Sequence, residues 1–151
     1  MDLDVMLLKV ETQVIDEAYS ALQRSQVTHY ENGGESLTRQ RLTDLFHVVV
    51  VAIRDRDLTG VGAYSERIAD ERFNMGFDVS EVQTAFNALE VVLWRRVVAD
   101  VPPAELAEAV GLLSTVLGFG KDVLARKYVS LASSRHVHSL DLSALFGGTD
   151  A

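Results

Sequence analysis

Cysteine is absent from the 151 residues, which excludes disulfides, thiolate nucleophiles and cysteine-ligated metals or clusters. Proline is scarce: the only two, Pro102 and Pro103, are adjacent. No uninterrupted apolar run reaches membrane length, and Met1 to Gln26 mixes Asp, Glu and Lys with Leu and Val, so neither a spanning helix nor a secretion leader is expected. An excess of positive charge is also missing. With 22 acidic and 14 basic side chains the net charge is −8, and the basic residues, Arg39, Arg41, Arg54, Arg56, Arg95 and Arg96 among them, are dispersed, which argues against a nucleic-acid partner. One soluble, cytoplasmic domain is the expectation, long enough to bury a core without staples.

What is present is helical periodicity. Leu3, Leu7, Val10, Val14, Ala18 and Leu22 recur at spacings of three and four and predict a first helix ending near Gln26. Asn32, Gly33 and Gly34 predict a loop over Val27–Glu35. A second helix begins near Ser36 with Leu42, Leu45 or Phe46, Val49 and Ile53 as its core stripe. Its run LFHVVVVAI would also suit a buried strand, but no second run exists to pair with it, so helix is the reading. Arg54–Gly62 reads as a charged turn, and Val61, Tyr64, Ile68 and Arg72 carry a third helix.

The stretch RFNMGFDVSEVQTAFNALEVVLW, Arg72 to Trp94, is the most explicit. Gly76 suits the left-handed residue that ends a helix, Phe77 its hydrophobic follower, and Asp78 with Glu81 a capping box for the next helix. That fourth helix has the stripe Val79, Val82, Phe86, Leu89, Leu93 and Val97, and stops before Pro102 and Pro103. A fifth helix from Pro103 places Leu106, Val110, Leu113, Leu117, Gly120, Leu124, Tyr128 and Leu131 on one face; it must either break near Gly118 and Gly120 or project from the body. Residues 132–151 are expected to be a flexible tail in which Leu140, Leu142, Leu145 and Phe146 form at most a docking turn, leaving 1–131 as the domain. The fold class is an all-α bundle of five to six helices with globin-like packing.

Chemically reactive groupings are few. His47, between Phe46 and Val48, has the residue type for a haem ligand or acid–base group, but a core histidine bonded to a carbonyl is the favoured reading. Arg72 shares a stripe with Tyr64 and Ile68, so its guanidinium either holds a ligand anion or serves the last helical turn, the second being favoured. Tyr64, Phe86 and Trp94 read as core before cofactor box. His29 with Tyr30, and His136 with His138, read as solvated. No catalytic residue, metal site or cofactor is expected. Gly111, Gly118 and Gly120 are costly inside a helix, at about 1 kcal/mol each, so a close helix approach is expected there, within the bundle or across a symmetric dimer.

The pattern Arg72-x-x-x-Gly76, Val79, Val82, Ala85, Leu89, Trp94 resembles the N-terminal sensory domain of RsbR-type (RsbT co-antagonist) stressosome proteins and the related domain of PucR-type regulators. The resemblance implies a globin-like helical fold without haem, usually dimeric, passing a signal through its terminal helix. Nothing after Leu131 is long enough for a STAS domain, a DNA-reading module or a kinase, so output must come from a separate protein unless the chain is a fragment. The resulting expectation is a non-enzymatic sensory or scaffolding domain, homodimeric, with a signalling protein as partner and no membrane or nucleic-acid role. The expected partner surface lies on helices one and five and includes Gly111, Gly118, Gly120, Leu124 and Tyr128. The alternative is a globin-like carrier of haem or another small molecule, with a pocket at His47, Tyr64, Arg72 and Trp94.

Overall fold

The computed structural model describes residues 2–25 and 28–139, with side chains described outside 28–33 and 135–139. Six α-helices and no strand occur among them: α1 (Leu3–Lys9), α2 (Glu11–Arg24), α3 (Thr28–Asp55), α4 (Thr59–Asn74), α5 (Val79–Asp100), a 3₁₀ turn (Pro103–Glu105) and α6 (Leu106–Ser139). The all-α expectation holds. LFHVVVVAI is helix, as the absence of a pairing partner required, and Leu42, Leu45, Phe46, Val49 and Ile53 are all buried. One core joins every α-helix.

Several boundaries differ from expectation. The first helix is two, because Val10 leaves helical geometry (φ −109°, ψ 15°), although Leu7, Val14, Ala18 and Leu22 still share the core. The expected loop over 27–35 is helical backbone from Thr28 onward, and only Gly34 (φ 83°, ψ 164°) breaks it. A single positive-φ glycine suffices to redirect the chain there. Gly60 and Gly62 lie inside α4, so the charged turn is confined to residues 56–58, where Arg56 takes φ 53°.

The α4–α5 corner forms as the residue types dictate. Gly76 (φ 86°) donates its N–H to Phe73 O at 3.1 Å and Phe77 donates to Arg72 O at 3.0 Å, the paired bonds of a Schellman end. Asp78 N–H then donates to Glu81 Oε1 at 2.9 Å while the Asp78 carboxylate accepts the Glu81 amide. Buried Phe77 receives Arg41 over its ring at 5.9 Å, and its carbonyl accepts the Tyr128 hydroxyl at 3.2 Å. Gly76→Ala is expected to cost about 1–2 kcal/mol, the penalty of a Cβ in the left-handed region, and to lower Tm by about 2–4 °C per kcal/mol in a calorimetric scan. The site has open space, so only backbone strain is being measured.

Helix α6 sets the long axis. It runs through Gly118 and Gly120 without interruption and continues past Leu131 to Ser139, 34 residues or about 51 Å. Of the two outcomes foreseen, projection is the one adopted: Ser130, Ala132, Ser133 and Ser134 are exposed. Leu140, Leu142, Leu145 and Phe146 lie outside the described residues, as do the side chains of His29, Tyr30, His136 and His138.

α6 runs parallel to α4, since Gly62 faces Phe119 and Asp70 meets Lys127 at 3.9 Å. It is antiparallel to α5, because Phe77 meets Tyr128 and Glu90 meets Lys121 at 2.6 Å.

Candidate interaction surface

The four residues read as a ligand pocket are dispersed. His47 is not a core histidine: its side chain is half exposed on the outer side of α3, where Nε2 lies 2.8 Å from Glu11 Oε1. Tyr64 is buried beneath Arg67, whose guanidinium lies 5.3 Å from the ring centroid. Trp94, read as core, is 43% exposed on α5. Helical phase explains both corrections, since His47 follows buried Phe46 by one residue and Trp94 follows buried Leu93 by one, a rotation of about 100° each time.

Arg72 is buried as its stripe predicted, at 3% exposure. Its anionic partner is neighbouring Glu71, whose carboxylate bonds Nη1 from a half-exposed position, while Nε has no partner among the described residues. The free carbonyls of the last α4 turn are served by the amides of Met75, Gly76 and Phe77 instead of by the guanidinium. Buried Ser65 Oγ is also without a partner among them.

Two grooves border these residues. One of about 480 Å³ runs between α3 and the start of α4 and includes His47, Val51, Asp55, Asp57 and Thr59, but neither Tyr64, Arg72 nor Trp94. Its acids are committed locally. The Arg54 side chain bonds Asp55, and the Thr59 backbone N–H (2.9 Å) and hydroxyl (2.7 Å) bond Asp57, holding both carboxyls below their usual range. The other, about 510 Å³ and apolar, lies between the α4–α5 corner and the far half of α6, lined by Phe73, Phe77, Val79, Ala125, Val129 and Ala132 among others. No group of three or more potential metal-ligating side chains gathers among the described residues.

The five residues expected at an interface divide in two. Gly120, Leu124 and Tyr128 are inside the protomer. A Cβ on Gly120 would lie 3.1 Å from Phe86 Cε2 and Val61 Cγ1 and 3.3 Å from Ser65 Oγ, so the close approach there is internal. Gly111 and Gly118 are exposed, with nothing within 4 Å of an added Cβ.

Beside those glycines α5 presents an apolar row: Val91 is 47% exposed, Trp94 43% and Val98 51%. Their spacing of three and four puts them on one line. Glu90 and Asn87 both contact Lys121, which fixes the register. One turn beyond Glu90, Trp94 comes alongside the part of α6 between Gly111 and Gly118, and Gly118 lies one turn from Lys121 on the same outer side. Val91 and Val98 were not singled out from sequence. The signal was present, as a second apolar line of α5 offset from the Leu89–Leu93–Val97 stripe, but next to a stronger stripe it reads as flanking core.

No helix among the described residues is long and apolar enough to cross a membrane. No curated protein and no solved structure matches the chain. A sequence family does: the RsbT co-antagonist protein rsbRD N-terminal domain matches residues 12–137, from the start of α2 to the last turn of α6, and the chain belongs to that family.

Proposed function

We propose that the chain is a non-enzymatic sensory or scaffolding domain of bacterial stress signalling, acting in the cytoplasm as a homodimer that engages signalling proteins. Membership of the RsbT co-antagonist family carries this reading, because the match spans almost the whole helical body. The shape is consistent with it: α6 is packed along α4 and α5 and then extends past them, so a shift in the body would be carried to an attached or bound output module by a rigid rod.

Haem or small-molecule carriage is the weaker reading, because His47 stands half exposed with Glu11 and away from the buried Tyr64 and Arg72. Native mass spectrometry of protein purified from its own source tests the two together. A dimer mass, with or without a second protein and with no retained small molecule, is expected. A monomer carrying one stoichiometric small molecule would overturn the proposal.

A further inference from the structure

We infer that residues 140–146 of this chain fold back along α6 and occupy the apolar groove between the α4–α5 corner and the far half of that helix. The occupant is an intrachain strap, which ties the projecting end of α6 to the body. It goes beyond the homodimeric reading above and does not depend on it.

The groove, about 510 Å³, has mostly apolar walls. Its two ionisable side chains are already engaged: the Asp78 carboxylate accepts the Glu81 amide, and the Tyr128 hydroxyl donates to Phe77 O at 3.2 Å. On the α6 wall Val129 is 66% exposed, the most exposed large apolar side chain among the described residues. Such a surface is stabilised by a cover that brings apolar side chains and no charge.

The stretch that follows Ser139 supplies that cover. It reads LDLSALFGG, in which Leu140, Leu142, Ala144 and Phe146 alternate with Asp141, Ser143 and Leu145, the period of an extended chain with one apolar side. From Leu142 to Thr149 no side chain is ionisable, although 24% of the whole chain is charged, so the stretch suits the groove better than open water.

Position and reach select this occupant over a separate molecule. Ala125, Tyr128, Val129 and Ala132 line the groove along one side of α6. Ser139, seven residues past Ala132, lies on that same side where the helix ends. Returning from Ser139 to Val129 covers about 15 Å, and to Ala125 about 21 Å, at 1.5 Å per residue. Seven extended residues span about 23 Å, so Phe146 comes level with the groove with one or two residues left for the turn. The α6 sequence in between, SSRHVH, has no apolar run, which makes the groove the first oily surface that the returning chain meets. So short a tether holds the stretch beside the groove at an effective concentration of about millimolar.

The test uses the full chain, whose lack of cysteine lets single thiols be introduced. The thiol of Val129→Cys is expected to react with a disulfide reagent at least about 10-fold more slowly than in the same protein carrying Leu142→Asp and Phe146→Asp, because the groove opens only when the strap is released. Val51→Cys, at an exposed position on α3, should react at the same rate with either tail. Val129→Cys combined with Ala144→Cys should be joined by a short bismaleimide within one chain, as read from the denatured intact mass. Equal Val129→Cys rates with the two tails overturn the proposal, as does a Val51→Cys rate that rises in parallel, which would mean general loosening. Absence of any crosslink also overturns it, and a crosslink found only between chains overturns it in favour of a second copy's tail.

Discussion

Phe46→Ala is expected to lower unfolding stability by about 3–5 kcal/mol, the cost of removing a large side chain from a packed interior. Phe46 has no exposed surface, and it sits among Leu42, Leu45, Val49 and Val50 on the buried side of α3. For a chain of this length the loss corresponds to a Tm drop of about 2–4 °C per kcal/mol. The adjacent His47→Ala should change stability by less than about 1 kcal/mol, since a half-exposed pair with Glu11 is screened by water. Urea titrations followed by circular dichroism measure both. Equal losses at the two positions would mean that the helical phase of α3 is misassigned.

The second large effect separates two glycines that are neighbours in sequence and opposite in environment. Gly120→Val should destabilise by about 2–3 kcal/mol, because even its Cβ falls 3.1 Å from both Phe86 and Val61, and the branched methyls must displace α4 or α5. Gly118→Ala meets nothing within 4 Å and adopts ordinary helical geometry, so the protomer should gain up to about 1 kcal/mol of intrinsic helix propensity. Denaturation at concentrations low enough to keep the protein monomeric shows the gain free of any effect on association. A Gly118→Ala protomer as unstable as Gly120→Val would mean that the exposed side of α6 is covered within one chain.

The amphipathic stripes were legible because burial follows a 3.6-residue period whatever the partner helix is. Leu3 to Leu22, Leu42 to Ile53, Val82 to Val97 and Leu113 to Tyr128 face the core as read, and the Gly76–Glu81 corner formed because its backbone and capping bonds are local. Breaks that depend on neighbours were less legible. Val10 leaves the helix although its side chain suits the stripe, and the backbone of residues 28–33 is helical although Asn32 and Gly33 favour a loop. Of the candidate site, Arg72's burial and its need for an anion could be anticipated, while His47 and Trp94 were assigned to the wrong side of their helices. A lone histidine or tryptophan inside an apolar run has no pattern of its own to set its phase.

Residue order alone determined that this chain is helical, where its main corner lies, which side of each helix is oily and which family it resembles, since each depends on interactions within a few residues. Only the tertiary arrangement decided which oily or small positions remain uncovered. Gly120 meets Phe86 and Gly118 meets nothing, and Leu93 is enclosed where Trp94 is not. Such differences of one or two residues along a helix become meaningful only when the neighbouring helices are in place, because a contact surface is defined by what packing leaves over.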